Sequence, residues 1–265
     1  MSLIDRIGLS VPIIQAPMAG VSTPQMAAAV SEAGALGSIA VGNVDADGAA
    51  RMMAETRALT DRPLNVNLFV HAEPRRDPAR EAAWLEALTP QFTSVDAAAP
   101  TRLGVIYRSF AGDDAMLACL LADAPAVVSF HFGLPDRSLL KRVKDAGCLV
   151  VGCATLVKEA VWLEQNGADA IIAQGAEAGG HRSMFMTDNI SLQPGTFALV
   201  PQVVDAVRVP VTAAGGIADG RGIAAAFALG AAGVQIGTAY LRTPESKVSA
   251  LGRAALASAT DDSTV

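Results

Sequence analysis

Residues 209–238, VPVTAAGGIADGRGIAAAFALGAAGVQIGT, leave the chain few folds to choose from, because they spell strand, glycine turn, helix, glycine stop and strand without interruption. Residues 209–214 are a short apolar run opening at a proline, the pattern of a strand covered on both faces. The run breaks at Gly215-Gly216. Asp219 then offers an N-cap oxygen, residues 221–229 are rich in helix formers, and Gly230 stands where a helix ends in the left-handed conformation. Residues 232–236 make the next strand, which completes a βαβ unit.

Each strand of this unit ends in a glycine site, Gly215-Gly216 and then Gly237-Thr238. Tight turning alone would account for either pair, since glycine is the default turn residue. Two such turns after consecutive parallel strands also suit a phosphate, which bare backbone amides and a helix N-terminus can hold. In barrels of eight βα units, the loops after strands 7 and 8 are the usual phosphate site.

The rest of the chain repeats the same module. A helix ending in glycine runs straight into a strand in EAGALGSIA (32–40), DAGCLVVG (145–152), NGADAIIAQG (166–175) and LGAAGVQIG (229–237), the mark of a parallel α/β sheet. Eight strands are expected, at residues 12–16, 36–41, 64–70, 126–130, 148–152, 170–174, 209–214 and 232–236. Helices fall between them at 24–33 after Thr23 as cap, 46–59, 136–146, 156–166 and 197–207. The crossover from strand 3 to strand 4, residues 72–125, is long. It has room for helices at 79–88 and 113–122, with the strand-like LGVIYRSF (103–110) between them. An open doubly wound sheet would also alternate in this way, but a dinucleotide fold should show GxGxxG after its first strand. Ala16, Pro17 and Met18 stand there instead. The expected fold is therefore an α/β TIM (β/α)₈ barrel, one domain over residues 1–265.

Composition fits that expectation. Hydrophobic residues are 51% and aromatics 5%, with alanine, valine and glycine making up the difference, which suits close packing of helices on a sheet. A net charge of −6 without a Lys/Arg cluster argues against nucleic acid as a partner. Cys119, Cys148 and Cys153 form no CxxC pair and have no metal-like spacing to a histidine, so they read as reduced core thiols of a cytoplasmic protein, and no metal is expected. Residues 1–7 carry Asp5 and Arg6 with no apolar segment before them, so no signal peptide is expected. The one membrane-like run, 223–241, holds Gln235 and Thr238 and is cut by Gly230, Gly233 and Gly237; it reads as buried helix plus buried strand, with no membrane partner.

In a barrel, function gathers at the carboxyl ends of the strands. Strand 1 ends in Gln15, Pro17 and Met18, and strand 3 carries Asn65 and Asn67. Strand 4 runs into His131; strand 6 runs into Gln174 and then Glu177, Gly179, Gly180 and His181; strand 8 carries Gln235. Amide side chains in apolar strands need partners, which either a ligand or polar layers inside the barrel would supply. His131 reads as a pocket residue or as a satisfied core histidine, and His181 as a site residue or a solvated one. His71, beside Glu73 and Pro74, reads as surface, Cys153 as a packed thiol, and Glu177 as the partner of a loop amide or of Arg182.

Six motifs in order, IIQAPMAG (13–20), NVNLF (65–69), SFHFGLP (129–135), QGAEAGGH (174–181), AAGGI (213–217) and QIGT (235–238), resemble the FMN-dependent nitronate monooxygenases, formerly called 2-nitropropane dioxygenases, across nearly the whole chain. The resemblance implies oxidation of alkyl nitronates, with nitroalkanes and propionate 3-nitronate as candidates, by dioxygen to a carbonyl compound and nitrite through a flavin semiquinone. It implies FMN phosphate on the amides of Gly215, Gly216, Gly237 and Thr238, with the Thr238 hydroxyl adding a bond. Ala16, Pro17 and Met18 would approach the isoalloxazine through main-chain atoms, and Asn67, Gln174 and Gln235 would bond flavin edges or the ribityl chain. Gly179 and Gly180 would let their loop pass close to the cofactor. His181 would be the catalytic residue, holding the nitronate or taking the α-proton of a nitroalkane, with His131 and Tyr107 lining the substrate pocket. A homodimer is compatible with the resemblance. The family usually continues past strand 8 with helices that close over the flavin, so that extension is expected to be absent or incomplete here, with the chain cut short after residue 265. Two other readings remain: an NADH-dependent quinone or enoyl-thioester reductase on the same FMN barrel, and a non-catalytic barrel binding a phosphorylated metabolite.

Overall fold

All eight expected strands form, every neighbouring pair runs parallel, and they follow one another around a ring in the order β1-β8-β7-β6-β5-β4-β3-β2. They are β1 (Ile13–Gln15), β2 (Gly37–Ala40), β3 (Leu64–Phe69), β4 (Val127–His131), β5 (Leu149–Ala154), β6 (Ala170–Gln174), β7 (Val211–Ala214) and β8 (Gly233–Ile236). Between β1 and β2 the ring is completed by one bridge, Ile14 to Leu36; Gln15 N–H donates to Leu36 O and Leu36 N–H to Ile13 O, both at 2.9 Å. The fold is a (β/α)₈ barrel. This computed structural model describes residues 6–261 and 263; the readings of residues 1–5 and of the chain end at 264–265 lie outside the described residues.

Side chains alternate across a strand, and that alternation sorts the apolar residues into two cores. One parity points outward: Val66, Leu68, Val128, Phe130, Val150, Ile171, Ala213 and Val234 pack against helix residues such as Leu117, Leu163, Leu199 and Val203. The other parity fills the barrel interior with Ile14, Val127, Val151, Cys153, Ala170 and Ile172. Each of the larger buried aliphatic side chains contributes roughly 1.5–3 kcal/mol. The inward parity also carries Asn67, His131, Gln174 and Gln235, which therefore converge at one end of the barrel.

The outer helices are α1 (Pro24–Glu32), α2 (Ala46–Arg57), α3 (Pro78–Ser94), α4 (Asp114–Asp123), α5 (Arg137–Asp145), α6 (Val157–Gln165), α7 (Thr196–Ala206), α8 (Gly220–Ala228) and α9 (Ala250–Ser258) among the described residues. Most begin at a side chain that accepts from the first-turn amides: Thr23, Asp45, Asp77, Asp113, Asp136, Asp219 and Ser249. α8 ends as its sequence dictates, with Gly230 at φ +91°.

Four expectations need correction. α3 runs six residues past the expected end at Leu88, through Pro90 to Ser94, and holds no buried residue. LGVIYRSF is not a strand; it touches the sheet at one bridge, Ser109 to Phe69, and Val105 and Ile106 face solvent because no ladder partner lies beside them. α8 is not a buried helix: Ala226 alone is buried and Phe227 is 39% exposed, since an outer helix is covered on one face only. α9, after β8, forms where the sequence predicts no helix. No helix among the described residues is long and apolar enough to cross a membrane.

Candidate active site

A cavity of about 620 Å³ opens at the carboxyl ends of the strands. Its wall contains Ala16, Pro17 and Met18 after β1; Asn67 and Phe69 of β3; Tyr107 of the long crossover; and His131 of β4. Gln174, Glu177, Gly179, Gly180 and His181 come from β6 and its loop, Gly215 and Gly216 follow β7, and Gln235, Gly237 and Thr238 follow along β8. The residues named for cofactor, substrate and catalysis all reach this one cavity, whereas Gln15 and Asn65 are spent inside the barrel: Gln15 Oε1 accepts from Ser38 N–H at 2.9 Å and Asn65 Nδ2 donates to Ser38 Oγ at 3.0 Å.

Its two ends differ in chemistry. At one end backbone predominates. Gly215 and Gly216 have φ of +113° and +67°, which L side chains rarely adopt, and a Cβ on Gly215 would lie 2.8 Å from Thr196 Oγ1 and 2.9 Å from Ala178 N. A Cβ on Gly179 would sit 3.8 Å from Thr238 Oγ1. The 178–179 segment therefore lies between the two glycine turns. Glu177 closes this end from behind: its Oε2 accepts from Thr196 N–H and Thr196 O–H, both at 2.7 Å, and so caps α7, whose own N-cap residue, Gly195, has no side chain to do so. Burial pushes the Glu177 carboxyl up, but the two Thr196 bonds together with its own backbone N–H hold the group below its ordinary value. Arg182 does not pair with Glu177; its Nη1 donates to Ala176 O and Gln193 Oε1.

At the other end aromatic rings predominate. The His181 ring meets Tyr107 edge-on at 4.7 Å between centroids, Phe69 at 5.2 Å and Phe132 at 6.1 Å. His131 lies 5.9 Å from Phe69 and is buried. Asn67 Nδ2, held by Ser129 O at 3.1 Å, stands 3.0 Å from His131 Nδ1. Ser129 Oγ also lies 3.0 Å from the Asn67 nitrogen, so its two protons are shared among three acceptors; where one goes to the ring, His131 Nδ1 accepts it and the ring proton sits on Nε2. Burial, with His181 adding to it, pushes His131 down to about 4, so the ring is neutral at physiological pH.

The His181 loop is tied to β6 by Gln174, whose Nε2 donates to His181 O at 2.9 Å and whose Oε1 accepts from Ser183 N–H at 2.8 Å. It is tied to β4 by Ser183, whose hydroxyl accepts from Phe132 N–H at 3.1 Å. Phe132 has φ +69°, a strained conformation for a bulky residue and a common one where geometry serves a site.

The pattern of the nitronate monooxygenase family matches residues 1–265. The chain belongs to the nitronate monooxygenase family. It is 51% identical to the nitronate monooxygenase of Paraburkholderia phytofirmans over 93% of this chain and 68% of that one. It is 51% identical to the nitronate monooxygenase of Pseudomonas aeruginosa over 94% of this chain and 71% of that one. Among solved structures it matches nitroalkane oxidase from Streptomyces ansochromogenes with a TM-score of 0.84 and 42% identity, over 93% of this chain and 70% of that one. FabK from Thermotoga maritima matches with a TM-score of 0.74 and 32% identity, over 97% of this chain and 68% of that one. Enzymes of the nitronate monooxygenase family depend on a flavin, and the cavity fits one: its size suits a cofactor, its glycine end presents main chain, and Gln235 Oε1 in its wall is buried without a partner.

Part of the site is not announced by the sequence. Phe69 was legible by parity, two residues on from Asn67 along β3. His71 is half-buried rather than free at the surface: its ring packs edge-on to Phe69 at 6.4 Å and Phe132 at 6.1 Å, so all three histidines of the chain share one aromatic cluster. Cys153 is packed, as expected; it lies within β5, and burial pushes its thiol up to about 12.

Proposed function

We propose that the chain oxidises alkyl nitronates with dioxygen to a carbonyl compound and nitrite, with FMN as the flavin in the cavity. The observation that carries this reading is that two glycine turns and a pair of histidines walled by aromatics line the same 620 Å³ space. The amides of Gly215, Gly216, Gly237 and Thr238 would hold the phosphate, with the Thr238 hydroxyl adding a bond. Main-chain atoms of Ala16, Pro17 and Met18 would flank the ring system, and Gly179 and Gly180 would admit it without side-chain bulk. Gln235 Oε1 would accept a flavin N–H, while Asn67 lies against His131 and Gln174 ties down the His181 loop. A flavin bound there would supply electron transfer from the nitronate to dioxygen.

The protein groups arrange and charge-match the substrate. Neutral His131 offers its Nε2–H to a nitronate oxygen. His181 stands over the reacting carbon, donating to the nitronate oxygens or, for a neutral nitroalkane, accepting the α-proton at a ring nitrogen. Tyr107, Phe69 and Phe132 exclude water, which strengthens every hydrogen bond to the anion.

The test is an absorbance spectrum of the purified protein followed by anaerobic addition of propionate 3-nitronate. Flavin bands that bleach with the nitronate, with nitrite and an aldehyde appearing once air is admitted, are expected. A colourless protein that takes up no FMN would overturn the reading. Bleaching by NADH but not by nitronate would replace it with the reductase.

A further inference from the structure

Glu159 is fully buried, lies outside the cavity wall and has no part in the chemistry above. Its Oε2 accepts from Thr155 N–H and O–H at 2.8 Å and from Leu156 N–H at 3.2 Å. Its Oε1 accepts from Phe185 N–H at 2.9 Å and Met186 N–H at 3.1 Å. Capping α6 requires only the first oxygen. The second serves two amides four and five residues beyond His181, on a loop from a different βα unit. Among the described residues no ion pair offsets this carboxyl, so its partners are five neutral donors. A buried acceptor with that many donors is costly to disturb, which makes it a stiff anchor.

The loop is therefore gripped on both sides of His181. Gln174 and Ser183 hold residues 181–183 to β6 and β4, and Glu159 holds 185–186 to the start of α6. The Phe185 ring seats on Trp162 of α6 at 5.3 Å between centroids, on the same helix as Glu159. We propose that Glu159 is a positioning residue for His181: by fixing the far side of the loop it keeps the imidazole against Tyr107 and Phe69. This rests on the reading that His181 handles the nitro substrate.

Glu159→Gln tests it, because an amide group cannot accept on both sides and would face N–H groups with its own. Expected is a loss of roughly 10- to 100-fold in kcat/KM for a neutral nitroalkane, whose α-proton the ring must reach, the scale of a small misplacement, with FMN affinity unchanged. In a His181→Asn background the same change should cost almost nothing, and the ring signals of His181 should shift in Glu159→Gln while Thr155→Val leaves them in place. An equal loss in both backgrounds, or a fall in FMN affinity that accounts for it, would make Glu159 a stability residue and overturn the proposal. If Glu159→Gln does not fold, hydrogen exchange on the unaltered holoenzyme decides: slow exchange at Phe185 and Met186 supports the anchor, and exchange as fast as at free loop amides overturns it. Should His181→Asn alone leave turnover of neutral nitroalkanes intact, the reading of His181 fails, while the ring signals still report whether the anchor acts.

Discussion

The buried His131 ring gives the protein an acid sensitivity whose size can be worked out. The ordinary histidine value is 6.5 and the folded one about 4. A base whose value falls on folding remains neutral in the native state while the unfolded chain takes up the proton, so stability is lost as pH falls through 6.5 and levels off below about 4. Above 6.5 both states are neutral and the contribution vanishes. Linkage puts the loss at about 2 kcal/mol by roughly pH 5 and about 3 kcal/mol by roughly pH 4, a large share of the 5–15 kcal/mol typical of a domain. Urea unfolding of the native sequence and of His131→Asn at about pH 7, 6 and 5 isolates this contribution from the acidic residues, which titrate alike in both. The native sequence should lose about 2 kcal/mol more than the variant over that interval. Parallel acid curves, or a His131 ring signal that titrates near 6.5 in the folded protein, would refute the argument that burial keeps the ring neutral.

Four more outcomes follow from the geometry. His181→Asn should lower turnover of neutral nitroalkanes by about 100-fold, the usual worth of a positioned base, and that of preformed nitronates far less; steady-state rates on both decide, and equal losses would remove the base role. Gly215→Ala forces a Cβ into Thr196 and Ala178 at a φ of +113° and should weaken FMN binding by more than about tenfold, at a strain of about 1–2 kcal/mol. Gly220→Ala, where a Cβ meets nothing within 4 Å, should bind FMN as the native protein does in a fluorescence titration. Cys148 and Cys153, pushed up to about 11 and about 12 by burial, should resist a thiol reagent near pH 8, and Cys119, partly exposed, should react first; mass spectrometry showing several thiols modified in the folded protein would contradict this.

Much of this architecture was legible because it repeats. A glycine stop followed at once by an apolar run marks each strand in EAGALGSIA and its three counterparts, and all eight strands form within a few residues of where the sequence puts them. The cavity was legible for a related reason: a polar residue at the carboxyl end of a core strand, such as Asn67 or Gln235, has nowhere to point but inward. What escaped notice depends on contacts between segments distant in the sequence. Nothing near His71 announces that Phe69 and Phe132 will cover it, and Glu159 looks like an ordinary charge on an amphipathic helix until the 185–186 amides are brought beside it. LGVIYRSF has the composition of a strand, yet composition does not supply a neighbour with free backbone groups. α3 continues through Pro90 because an exposed helix packed on nothing can dispense with one internal hydrogen bond.

Tyr107 comes to the cavity from a segment that the barrel hardly grips. Backbone ties at Arg108 to Gly42 and Phe110 to Phe69 secure it, while α3 beside it in the chain buries nothing. Mutation can therefore lengthen, shorten or recolour this flank without disturbing any stave. Selection for a bulkier or smaller nitro compound would find its cheapest route here, so divergence among close kin should concentrate in residues 72–110 while the catalytic floor stays fixed.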